Sequence, residues 1–140
     1  MTPGDPVESG DPFSASFTIT SSNVFPLRDV GAAVAVIEVA ASPVPFNEEN
    51  RPDILNIDSL SCFTEKDWNH HDLSADERYT ITPYTTIAPA NQFVVLAGAD
   101  IAIVVDYKPW FIPIKRREVF RFVTHRFANG SYRWYSYPLR

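Results

Sequence analysis

Phe13, Ala15, Phe17 and Ile19 occupy alternate positions, with Ser14, Ser16, Thr18 and Thr20 between them. A strict period of two describes an extended chain with one dry face and one wet face. The pattern returns where Ile101, Ile103, Val105 and Tyr107 alternate with Ala102, Val104 and Asp106. Nowhere does a helical apolar period persist beyond about two turns. Short extended segments at intervals of about ten residues, with turn residues between, require a β-sandwich or barrel. The 12 prolines and 5 glycines in 140 residues fit a chain of many turns.

The segment "VGAAVAVIEVAA" (Val30 to Ala41) is ambiguous in propensity. Alanine favours helix, whereas valine and isoleucine favour strand. Gly31 within it, and Pro43 and Pro45 beyond it, decide for strand. Further strands are expected in "ILNIDSLSCF", "RYTITPY", "REVFRFVTHRF" and "YRWYSY", giving about seven with a C-terminal hairpin. "TEKDWNHHDLSADE" reads as a polar loop with room for one helical turn. Residues 1–12, "MTPGDPVESGDP", read as a flexible linker, and residues 13–140 as a single domain. No apolar run approaches the roughly 20 residues of a membrane-spanning helix. The opening residues have neither the basic nor the apolar region of a signal peptide. Two settings remain, a cytoplasmic protein or an excised piece of a longer chain; the linker-like opening favours the excised piece, with an extracytoplasmic setting.

The net charge of −5 hides a division. Residues 1–107 carry 4 Lys and Arg against 16 Asp and Glu, a net of −12. Residues 108–140 carry 8 against 1, a net of +7. The basic end coincides with the most legible element, "REVFRFVTHRFANGSYRWYSYP". Asn129-Gly130 is the preferred centre of a two-residue type I′ turn, in which both residues take positive φ. That chemistry accounts for the Asn-Gly-Ser sequence better than glycosylation does. The turn would pair Arg126 with Arg133 and His125 with Trp134. It would also put His125, Trp134 and Arg121 on one face.

Arg121, His125, Arg126, Arg133 and Trp134 are therefore the candidate binding residues of the hairpin. Trp110 joins them from "YKPWFIPIK", where Pro109 and Pro113 exclude a central strand and leave a kink or an exposed apolar loop. Three uses compete for the hairpin. Arginine stems can simply cover aromatic rings. Arg, Tyr and Trp can meet a protein partner or a second copy of the chain. Basic residues among aromatics also suit single-stranded nucleic acid or another anionic surface, although the acidic remainder opposes a polyanion.

"FSASFTITSSNVFPLRDVGAAVAV" resembles the opening of bacterial immunoglobulin-like sandwich domains of the cell-adhesion-related type. In that family a strand leads through a Pro-Leu corner to a second strand. "TTIAPANQFVVLAGADIAIVVDY" is similar to the turn and alternating strand that occur later in those domains. The chain departs from the pattern at Ser21-Ser22-Asn23 and at Ala90-Asn91-Gln92. The resemblance implies an immunoglobulin-like sandwich acting as a stalk or binding module of a larger protein, and it transfers no site residues.

Catalysis has little to work with. The single Cys62 permits no internal disulfide and no CxxC site. The chain has no GxSxG, HExxH, GxGxxG or phosphate-loop motif. Cys62, Glu65, Asp67, His70, His71 and Asp72 crowd one loop, but neighbouring histidines in an extended chain point apart, so one metal rarely takes both. The expectation is a non-catalytic protein-contact module with no metal and no cofactor. Nucleic acid and direct membrane insertion are disfavoured.

Overall fold

The alternating segments become antiparallel strands, and their dry faces meet. The computed structural model describes residues 1–8, 10–21, 25–43, 53–55, 70–83 and 94–138. Its strands are β1 (Thr2–Pro3), β2 (Phe17–Thr20), β3 (Leu27–Pro43), β4 (Asp53–Leu55), β5 (His71–Leu73), β6 (Arg78–Ile81), β7 (Val94–Pro109), β8 (Arg116–Arg126) and β9 (Tyr132–Tyr137). Two antiparallel sheets result. The smaller runs β1-β2-β6, and the larger runs β4-β3-β7-β8-β9, with β5 also on β3. Among the described residues no α-helix forms, and the architecture is all-β.

The alanine-rich segment is indeed strand. β3 and β7 run to 17 and 16 residues, far beyond the usual five or six, and pair along nearly all of their length. Register shifts between Arg28 and Gly31, between Val36 and Glu38, and between Ala40 and Ala41 bend the pair. Gly31 is needed for a close approach, because a Cβ there would lie 2.7 Å from His70 Cε1.

The core lies between the sheets. Phe13, Ala15, Phe17 and Ile19 are all buried, as their alternation requires, although Pro12–Ser14 form a 3-10 turn before the strand begins. Phe17 packs 4.9 Å from Phe122 and 5.6 Å from Trp134, ring centre to ring centre. Ile101, Ile103 and Val105 supply the facing layer from β7. The polar ends of the buried aromatics are satisfied. Trp134 Nε1 donates to the Pro12 carbonyl at 2.8 Å, and the Tyr132 hydroxyl donates to the Leu96 carbonyl at 2.7 Å.

Three expectations change. The opening residues, expected as linker, are partly tied down. Thr2 and Pro3 pair with Thr18 and Phe17, Gly4 N–H donates to Ser16 O, and the Asp11 carboxylate caps the turn at Phe13 N–H. His71–Leu73, expected in a polar loop, form an edge strand on the start of β3. Cys62, Glu65, Asp67 and Trp68 lie outside the described residues.

The third change is the hairpin register. Gly130 N–H donates to Phe127 O, and Phe127 N–H donates to Ser131 O, both at 2.9 Å. The loop therefore holds three residues, and only Gly130 takes positive φ (83°). This is a type I turn closed by a glycine bulge. Arg126 now pairs with Tyr132, His125 with Arg133 and Thr124 with Trp134. A slip of one residue moves every β9 side chain to the opposite face.

Phe17 is fully buried between two aromatic neighbours. Phe17→Ala is expected to lower stability by about 3–5 kcal/mol, measured as the shift of the urea unfolding midpoint at unchanged slope.

Candidate interaction surface

The slip redistributes the sequence candidates. Trp134 turns inward and is buried, where it fills the core and cannot meet a partner. It does not lie beside His125. Arg126 lies on the same inward side, close enough to Tyr132 to favour ionisation of its hydroxyl, although burial dominates and raises that tyrosine overall. Arg126 and Arg133, expected to pair, instead lie on opposite faces. Arg121, His125 and Arg133 do share the outward face, with Tyr135 and Tyr137. Trp110 lies near the opposite end of β8. Eleven residues at about 3.3 Å each put roughly 30 Å between the two regions.

Strand pairing also answers the charge division. The outward face of β7 carries Asp100 and Asp106, and β8 brings arginines against both. Arg117 is directly opposite Asp106 and donates through Nε at 2.6 Å and a terminal nitrogen at 2.8 Å. Lys115 Nζ adds a third contact to Asp106 at 3.0 Å. Asp106 is 1% exposed, so these cations replace its water. Arg121 holds Asp100 through Nε and a terminal nitrogen, and its guanidinium carbon sits 4.8 Å from the Tyr137 ring centre. At the far end, Lys108 Nζ lies 2.8 Å from Asp29 and His70 Nδ1 lies 3.1 Å from it. Much of the basic tail is thus neutralised within the chain.

Asp29 has positive φ (53°) where β3 changes register, and its N–H donates to Asp72 Oδ1 at 2.9 Å. The Lys108 hydrogen bond holds its carboxyl below the ordinary range. His71 packs against the Tyr79 ring at 4.4 Å, away from the Asp29 partner of His70. Among the described residues, no three His, Cys, Asp or Glu side chains converge as a metal centre would need.

The feature that sequence reasoning missed is the company Trp110 keeps. The ring of Phe25 stacks on Trp110, 6.2 Å between centres and 6° between planes, and meets Phe111 edge-on at 5.9 Å. No local pattern links residues 85 positions apart. Their meeting follows from the pairing of Leu27 with Pro109. A shallow depression of about 240 Å³ separates this cluster from Tyr107 and Arg116.

The hydrogen bonds from Arg117, then from Lys115, hold the Asp106 carboxyl below its ordinary 3.8 despite burial. The native state therefore binds fewer protons than the unfolded chain. The stabilisation is complete above the unfolded value and disappears as pH falls through the lower folded value. Asp106→Asn is expected to lose about 1–2 kcal/mol at neutral pH, reduced by the exposure of the two cations. It should also flatten the acid limb of a stability–pH profile. Gly130→Ala should cost about 1 kcal/mol by thermal melting.

No protein-family model, no curated protein and no solved structure matches this chain, so what it does must be reasoned from the surface described above.

Proposed function

We propose that this chain is a non-catalytic protein-contact module of immunoglobulin-like topology, carried by a larger bacterial protein and related in kind to the cell-adhesion-type sandwich domains. The strand order supports the topology. β1, β2 and β6 correspond to the A-B-E sheet of such domains, and β4, β3, β7 and β8 to the C′-C-F-G sheet. The chain changes sheets three times, between β2 and β3, between β5 and β6 and between β6 and β7, as that arrangement demands. β9 is then an addition to the open edge.

That addition carries the proposal. Among the described residues no strand pairs with the outer side of β9. Natural edges are usually blunted by lysine, proline or a bulge. Tyr132–Tyr137 contains none of these. Its outward face offers Arg133, Tyr135 and Tyr137, residue types suited to interface anchors. An added strand would gain main-chain hydrogen bonds along the edge and contact these side chains on one face. Binding of nucleic acid through the hairpin is less well supported, because Asp100 and Asp106 already engage Arg121 and Arg117.

The occupant to test first is a second copy, β9 against β9 across a two-fold axis. Sedimentation equilibrium should show a mass that rises with protein concentration. The double variant Arg133→Glu, Tyr135→Glu should return it to the monomer mass. A wild-type chain that stays monomeric at its highest soluble concentration would rule out self-pairing through β9.

A further inference from the structure

Turns at the ends of strands normally use Gly, Asn, Asp, Ser or Pro. The β7–β8 turn instead places Trp110 and Phe111 at its centre, closed by a hydrogen bond from Ile112 N–H to Pro109 O at 3.1 Å. Pro109 fixes one side and Pro113 follows on the other. Trp110 is 50% exposed, Phe111 63%, Ile114 67%, and Phe25 beside them 51%. Phe25, Trp110 and Phe111 form one exposed cluster, and Ile114 is exposed three residues further along the same connection. The ordering is built in, because the Arg28 guanidinium donates to the Trp110 carbonyl at 2.7 Å and the Phe25 ring stacks on the indole.

The turn and its flanks are locally basic. "YKPWFIPIKRR" (Tyr107 to Arg117) has four basic residues and no acidic one, and Arg28 adds a fifth cation. Asp29 and Asp106 offset part of this, through Lys108, Lys115 and Arg117. Arg28 and Arg116 stand exposed beside the aromatic cluster. An apolar tip with a basic collar matches a bilayer surface in two respects. Tryptophan prefers the headgroup level, with its ring among acyl chains and its N–H in the wet layer. Each basic residue close to an anionic leaflet strengthens binding about fivefold. A soluble protein partner would explain the apolar residues but would not require the collar.

We propose that the Phe25–Trp110–Phe111 tip docks peripherally on an anionic lipid surface, with Arg116 and Arg28 at the phosphates. The site is distinct from the β9 edge and does not depend on the contact proposed there. It involves no spanning segment; among the described residues no helix is long and apolar enough to cross a membrane.

The test is co-sedimentation with sucrose-loaded vesicles of phosphatidylcholine, with and without phosphatidylserine, in parallel with indole fluorescence. Binding should require phosphatidylserine, weaken with salt, and shift emission to the blue. Trp110→Ala with Phe111→Ala should abolish binding while leaving the circular dichroism spectrum unchanged and lowering the melting temperature only slightly, since both side chains are at least half exposed. Arg116→Glu should weaken binding at least fivefold. Val7→Ala, at a fully separate exposed apolar residue, should leave it unchanged. The proposal is overturned if neither vesicle binds, if both bind equally, or if the Trp110–Phe111 double variant binds like the wild type.

Discussion

The pairing of β3 with β7 is the constraint on which the larger sheet depends. It spans Leu27 to Pro43 on one side and Val94 to Pro109 on the other. β4 and β5 add to the free edge of β3, and β8 and β9 follow on the other side of β7. Gly31 leaves room for the His70 ring, while Val34 opposite Ile103 and Val36 opposite Ile101 build the core face of the ladder. The same ladder ends by pairing Leu27 with Pro109, which brings Phe25 against Trp110. Core and surface cluster are therefore two ends of one register.

Electrostatics is organised by the next pairing. Read along the chain, acid and base are segregated. Folding β8 back along β7 sets Arg117 against Asp106 and Arg121 close to Asp100. The polar groups on that outward face neutralise each other and leave a sheet surface that is ionic but nearly balanced. On this side of the described structure, positive charge persists where the pairing runs out, at Arg28 and Arg116 beside the β7–β8 turn and at Arg133. Surplus charge marks sites of contact better than total charge does.

Much of this was legible in the residues. The alternation identified the buried apolar positions Phe13 to Ile19, but only Phe17 to Thr20 are strand, and Ser14, expected on the wet face, is buried in the 3-10 turn. The alanine-rich strand was also legible, from its β-branched residues and flanking prolines. The hairpin was found, but its register was not. Asn-Gly satisfies both a two-residue and a three-residue loop, and the difference is the sign of φ at Asn129, which no residue type fixes. That single dihedral exchanged Trp134 for Tyr135 on the outer face. The short β5 was hidden because three residues carry no period. The tip cluster was half visible, since Trp110 and Phe111 announced themselves while Phe25 depends on a contact distant in sequence.

The hydrogen bond from Trp134 to Pro12 joins residues 122 positions apart. Closing a loop of that size costs entropy before any contact repays it, which places this chain among slowly folding topologies. The order of synthesis adds to the delay. Phe13 and Phe17 are made more than 100 residues before Phe122 and Trp134, which cover them. A nascent chain therefore carries Phe13 and Phe17 uncovered until β8 and β9 have been made. The final hairpin acts as a latch, and quality control during synthesis would meet this chain with the latch still open.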